Sequence, residues 1–402
     1  MNKILFVINT LGTGGAEVAL LEMLRKIDTS KYDVSLFVLL NQGELLPAVP
    51  EGIKLLNKNF DNTPIHTRRG LRRLKRKALA AFFKDFNGFK YLGYMTSNFR
   101  EMQKAKDVRL DKLMWRVVAA GAPVFDEKFD LAVAYIEGGS TYYVKDFVNA
   151  TVKKVFVHTD YSLAGYSRKL DMECYSSFDR IYAVSDSVKR SFLKVYPELF
   201  DKTDVFSNLI DISAIEKRSL EPGGFDDGFA GIRILSIGRL TQEKAFETAV
   251  DAMEMLVRKG LNARWYVFGE GELRAKLEDR IKNKGLEGVF FLPGNTDNPY
   301  PYLKQCDIYV QASRYEGKSL AIQEAKVLKC PVIVTDCGGN REQITDGVDG
   351  LICGINAKDM CEKIVSMLSD FGKAREMGLR AYENIKRDSQ SYDRIEELIG
   401  RP

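Results

Sequence analysis

A chain of 402 residues, 45% hydrophobic and 29% charged, is too long for one ordinary core and has the composition of a soluble globular protein, so two domains are expected. Its net charge of +5 is uneven: residues 1–207 carry 32 Lys/Arg against 24 Asp/Glu, while residues 208–402 carry 28 against 31, which suits the first half to an anionic surface or partner. Two histidines exclude a His-rich metal site. Six cysteines without CxxC spacing read as buried, reduced thiols rather than zinc ligands or disulfides.

Lys3–Thr10 is a continuous apolar run, as in a parallel strand buried on both faces. It lacks the h-region and cleavage site of a signal peptide. No apolar run approaches the roughly 20 residues of a spanning helix. The loop Leu11–Gly15 then opens a helix over Ala16–Lys26. Glycines before a helix let backbone amides approach an anion, which makes Gly14 and Gly15 candidate donor contacts. Gly12-Thr13-Gly14-Gly15-Ala16-Glu17 is not G-x-G-x-x-G, and a tight turn without ligand is the other reading. A strand follows at Asp33–Leu40.

Arg68–Phe86 differs from its surroundings. Eight Lys/Arg lie between Arg68 and Lys84 with no acid before Asp85, and Leu71, Leu74, Ala78, Leu79, Phe82, Phe83 and Phe86 recur at helical spacing. This predicts a basic amphipathic helix, suited either to an anionic membrane surface or to packing its stripe on the first domain. No nucleic-acid module accompanies the charge, so nucleic acid is not an expected partner.

Strands are predicted at Phe129–Ile136, Lys154–His158 and Arg180–Val184. Two of their ends carry chemistry. Glu137-Gly138-Gly139-Ser140 and His158-Thr159-Asp160 make Glu137, Gly138 and Asp160 candidates to face an acceptor. His158 is a candidate catalytic group, with a packed core histidine as the alternative.

After Asn208 the turn-rich stretch Glu221–Gly228 marks a hinge region. A second series of strands is predicted at Ile232–Ile237, Ala263–Phe268, Val289–Leu292, Ile308–Gln311, Pro331–Thr335 and Gly350–Cys353, with helices at Phe246–Lys259, Glu272–Lys284 and Ser319–Leu328. Two βα series imply an α/β protein of two Rossmann-like domains facing across a cleft, residues 1–209 and 210–386, with a C-terminal helix, 387–402, joining the first.

Arg239 and Lys244 follow the first strand of the second series, the usual ligand edge of an α/β sheet, and paired cations suit a diphosphate that gains charge as it leaves. Such a clamp can replace a divalent metal, and no Asp-x-Asp metal motif is evident. In Glu316-Gly317-Lys318-Ser319-Leu320-Ala321-Ile322-Gln323-Glu324 two carboxylates stand eight positions apart, one in a loop and one in a helix. Carboxylates accept sugar and ribose hydroxyls, Gly317 lets substrate come close, and Ser319 caps the helix so that its amides meet phosphate. A capping acid plus a surface acid is the plainer reading. Gly269, Asn295 and Thr296 end further strands and read as backbone contacts to nucleotide.

Together these motifs resemble the retaining glycosyltransferases of family 4, which have the GT-B fold. The matching residues are Gly14-Gly15-Ala16-Glu17, Val157-His158-Thr159-Asp160, Val184-Ser185, Asn208-Leu209-Ile210-Asp211, Gly238-Arg239-Leu240 with Lys244, Gly269-Glu270-Gly271, Glu316 with Glu324, and Gly338-Gly339 with Glu342, in family order over nearly the whole chain. The stretch Thr63–Lys128 matches weakly. The resemblance implies that Arg239 and Lys244 bind the donor diphosphate, Glu324 the ribose and Glu316 the donor sugar. His158 would lie beside the reacting sugar. It implies retention of anomeric configuration, with the leaving phosphate helping to deprotonate the acceptor, and a terminal helix, Ser391–Ile399, that returns to the first domain. Lys318 departs from the aromatic or small residue common there, and Ala245 replaces a frequent glycine.

The expectation is a cytoplasmic enzyme, peripheral on the inner face of the plasma membrane, that needs no cofactor. It would move a hexose or N-acetylhexosamine from a nucleotide sugar, UDP-linked, to a saccharide or polyprenyl-diphosphate-linked acceptor in surface-polysaccharide assembly. The alternatives are a sugar-nucleotide epimerase or phosphorylase of related architecture, and a non-catalytic binding subunit that has kept the fold.

Overall fold

A computed structural model describes residues 1–65, 67–388 and 393–400. Seven strands form the first sheet: β1 (Asn2–Ile8), β2 (Tyr32–Val38), β3 (Lys54–Leu55), β4 (Phe129–Ala134), β5 (Ala150–Val157), β6 (Arg180–Ala183) and β7 (Thr203–Val205). All pair in parallel, in the order β3-β2-β1-β4-β5-β6-β7, with Ile4 opposite both Val34 and Leu131. Ile4–Ile8 are all buried, as expected of a central strand covered on both faces by crossover helices.

β5 begins four residues before its predicted start at Lys154 because Lys153 and Lys154 interrupt the apolar pattern. Lys154 is buried nonetheless: its Nζ donates to the Leu398 carbonyl at 2.7 Å, and burial pulls its pKa down. Leu398 lies in the terminal helix Asp393–Gly400, which is fastened again where Arg394 donates to the Val205 carbonyl at 2.6 Å. The segment grouped with the first unit is Asp393–Pro402, and the helix Phe371–Asp388 belongs to the second unit. Ser391, the expected start of the terminal helix, lies outside the described residues. The first unit is Met1–Asn208 with this segment, and the second is Leu209–Tyr392.

The helix Arg68–Phe83 forms where its spacing places it, with the Thr67 hydroxyl accepting from the Gly70 amide at 3.0 Å. It packs on the helix Leu110–Gly121. Deeper in the first unit, Asp171 is fully buried and accepts hydroxyls from Tyr142 (2.7 Å), Tyr161 and Tyr196 (3.1 Å). Desolvation outweighs these bonds and pushes its carboxyl up to about 6.

Six parallel strands form the second sheet: β8 (Ile232–Ile237), β9 (Ala263–Phe268), β10 (Phe290–Gly294), β11 (Ile308–Gln311), β12 (Val332–Thr335) and β13 (Leu351–Cys353), in the order β10-β9-β8-β11-β12-β13. One face packs Trp265, Met253 and Ile364, and the other packs Leu235, Tyr309 and Val332. In both sheets the order reverses beside the first strand, between β1 and β4 and between β8 and β11. The loops leaving these strands diverge at their carboxyl ends, where open α/β sheets take ligands.

Candidate functional site

At the second switch point, Lys244 follows β8 and Glu316 follows β11, and the two meet. Lys244 Nζ lies 2.5 Å from Glu316 Oε1, both side chains largely buried. The same oxygen accepts from Gln311 Nε2 at 2.7 Å and Ser313 Oγ at 2.5 Å. Donors converging on one oxygen hold that carboxylate in a single orientation. An ammonium has three N–H groups, so Lys244 keeps further donors for a ligand beside Glu316.

Backbone crowding explains the glycines around this pair. Gly269 ends β9 at φ +150°, where a Cβ would stand 2.0 Å from the Gly238 carbonyl. A Cβ on Gly339 would stand 2.2 Å from the Gly317 carbonyl and 2.5 Å from that of Glu316. Only glycine lets the loops after β8, β9, β11 and β12 close to that distance.

Arg239 is exposed and pairs with Glu243, so the two predicted cations reach different carboxylates. Glu324 is half-buried in the helix Leu320–Val327 and accepts from the Tyr300 hydroxyl at 3.1 Å. Lys318 is half-buried and Leu320 opens the helix. Ser319 stands at the N-cap, but its side chain makes no capping bond, which corrects the expectation that it caps. The first turn keeps its amides without a side-chain cap, as a helix N-terminus that meets anions does. Asn295 is exposed after β10, and the Thr296 hydroxyl turns inward to the Asn298 backbone.

The first unit's edge is built differently. Glu137 follows β4, yet it is buried, and both its oxygens are engaged by the next strand end: Oε2 by the His158 amide at 3.0 Å, Oε1 by the Thr159 amide at 3.0 Å and by the Thr159 hydroxyl. Glu137 therefore positions His158: the amides left unpaired where β5 ends claim its carboxylate. Asp160 is likewise taken up by Ser191 Oγ at 2.5 Å and the Leu163 amide at 3.2 Å. Gly138 precedes the helix Gly139–Phe147.

His158 is buried against Tyr135, with ring centroids 5.0 Å apart, and hydrogen-bonds the Tyr135 backbone. Desolvation drives its pKa down to about 4, so the ring is neutral at neutral pH. Its Nε2 is buried without a partner, an acceptor suited to a hydroxyl. Gly14 and Gly15 lead into the helix Gly15–Arg25, and Glu17 folds back over Gly14 to accept from the Thr10 hydroxyl at 3.0 Å.

Four residues of these edges escape a motif reading. Gln311 and Ser313 orient Glu316, and Tyr300 holds Glu324. Asn9 joins β1 to β4 by donating to the Glu137 carbonyl at 3.1 Å and accepting from the Ser140 amide at 2.7 Å. The signal available for Gln311 and Asn9 is a polar residue closing an otherwise apolar buried strand.

Comparison with known proteins matches part of the chain to a family model. Residues 230–384 match the model of glycosyl transferases group 1, and this stretch holds Arg239, Lys244, Glu316 and Glu324. Poly(ribitol-phosphate) alpha-N-acetylglucosaminyltransferase of Staphylococcus aureus is 33% identical over 151 residues, 37% of this chain and 31% of that one. The chain thus spans less than a third of that relative. N-acetylgalactosamine-N,N'-diacetylbacillosaminyl-diphospho-undecaprenol 4-alpha-N-acetylgalactosaminyltransferase of Campylobacter jejuni is 28% identical over 281 residues, 69% of this chain and 70% of that one. Among solved structures, S. aureus TarM in complex with UDP superposes with TM-score 0.68 at 16% identity over 99% of this chain and 98% of that one. Anabaena HepE with UDP-glucose gives 0.67 at 16% over 100% and 98%. At these identities the structures show the fold, which is GT-B.

Proposed function

We propose that this chain, whose residues 230–384 are a glycosyl transferases group 1 domain, is a retaining glycosyltransferase. It moves a hexose or N-acetylhexosamine from a UDP-linked donor to a lipid-linked saccharide in surface-polysaccharide assembly. The carrying observation is the Lys244–Glu316 pair at the β8/β11 switch point, oriented by Gln311 and Ser313. Lys244 and Arg239 balance the charge that develops on the departing diphosphate, so the clamp itself needs no metal. Glu316 meets the donor sugar, Glu324 accepts the ribose hydroxyls, and the amides leading into Leu320–Val327 meet phosphate.

In the first unit His158 offers a neutral imidazole whose unpartnered Nε2 suits a sugar hydroxyl, and Glu137 holds its backbone. The leaving phosphate takes the acceptor proton on the face it departs from, which retains configuration. The relatives' names support the acceptor class: one acts on poly(ribitol phosphate) and another on a diphospho-undecaprenol saccharide. Such an acceptor puts the enzyme at the inner face of the membrane, although no helix among the described residues is long and apolar enough to cross one.

The test is a panel of nucleotide sugars with and without lipid-linked saccharides. UDP release that requires acceptor, with an α-linked product from an α-linked donor, supports the reading. Conversion of the donor sugar without acceptor makes the protein an epimerase and refutes it.

A further inference from the structure

The helix Arg68–Phe83 presents three faces, one of them half-buried and apolar. Leu74, Ala78 and Phe82 are half-buried toward the unit. Arg69, Arg73 and Lys77 recur every four residues and line a cavity of about 900 Å³ with Asn41, Phe60 and Asp61. On the remaining face Leu79 and Phe83 are exposed.

That exposed face continues beyond the helix. Phe86 is 72% exposed, Phe89 57% and Leu92 51%. The aromatic rings touch in series: Phe83 to Phe82 at 5.2 Å, Phe82 to Phe89 at 5.9 Å, and Phe89 to Phe86 at 6.1 Å between centroids. Scattered exposed apolar residues are ordinary, but a contiguous aromatic cluster marks an interaction site. Arg72, Lys75, Arg76 and Lys90 are exposed around it, and none has an ion-pair partner among the described residues. Aromatic and leucine side chains beside unpaired cations match a bilayer interface, where rings enter the acyl boundary and cations meet anionic headgroups.

We propose that Leu79, Phe83, Phe86, Phe89 and Leu92 insert into an anionic bilayer, with Arg72, Lys75, Arg76 and Lys90 on its headgroups. Arg76 lies between the inserted face and the cavity face of the helix, and Arg72 projects between Leu79 and Phe83, so docking holds the cavity at headgroup level, open to the anionic head of a lipid-borne substrate. The proposal draws its purpose from the lipid-linked acceptor, but it is tested without turnover, so either reading can fail alone.

Co-sedimentation with vesicles of phosphatidylglycerol and phosphatidylcholine decides it. The full chain should bind these vesicles and ignore phosphatidylcholine alone. Phe86→Ser with Phe89→Ser should lower binding by about tenfold or more, and Arg72→Glu with Arg76→Glu likewise, each with unchanged circular dichroism and melting temperature. Phe89→Trp should show blue-shifted emission over the wild-type signal when vesicles are added, quenched by brominated acyl chains. Three results overturn the proposal: no vesicle binding by the wild type, a serine variant that binds equally well, or a wild-type dimer that the serine pair turns monomeric, which would make the patch a contact between copies.

Discussion

The two switch points show how one architecture serves two ends. At β8/β11 the charged groups stand among loops that glycine lets approach closely, and Lys244 keeps donors for a ligand. At β1/β4 the charged groups are turned inward: Glu137 secures two backbone amides, Asp160 secures a serine and an amide, and Asn9 bridges two strand ends. What that edge presents is a neutral, desolvated imidazole. The difference teaches that a polar residue at a strand's carboxyl end is not a ligand group until its backbone neighbours are satisfied.

The contrast can be broken most sharply at Lys244. Lys244→Ala should lower transfer about 10²–10³-fold, the scale of losing one preorganised charge contact, while Gln311 and Ser313 keep Glu316 in place. Steady-state kinetics with the best donor checks this, alongside a melting curve to show that the fold persists.

The inward-turned edge should instead show itself in stability against pH. His158 is held at about 4 rather than its ordinary 6.5, so the folded state binds fewer protons between those values and stability rises with pH across that window. Asp171 is raised from 3.8 to about 6, so the folded state binds more protons there and stability falls as pH rises from about 4 to 6. The two slopes oppose, and wild type should be nearly flat. His158→Gln should unmask a fall of roughly 1–3 kcal/mol as pH rises, and Asp171→Asn a comparable rise, read from urea midpoints at stepped pH.

A smaller effect is expected at Lys154, whose Nζ anchors the terminal helix through the Leu398 carbonyl. Lys154→Met keeps the stem and loses the bond, which should cost about 1–2 kcal/mol and raise amide exchange over 393–400 without changing donor affinity.

Much of this was readable in advance, for physical reasons. β8, β9 and β11 match their predicted ranges because a strand buried on both faces is an unbroken apolar run. β3 and β7 were missed because edge strands of two and three residues leave no pattern. The Glu316 and Glu324 pair stood out because both lie within nine residues, whereas Gln311 and Tyr300 matter only through contacts the chain makes by folding. The bonds of Glu137 are hidden for the same reason: nothing in its spacing says that residues 158 and 159 will present amides to it.

Calorimetric titration with UDP tests the central claim most directly, that the carboxyl edge of the second sheet grips a nucleoside diphosphate. Wild type should bind UDP, and Lys244→Ala and Glu324→Ala should each weaken binding about tenfold or more while both variants stay folded. Equal affinity in all three proteins, or no binding of UDP, GDP or ADP by the wild type, would contradict it.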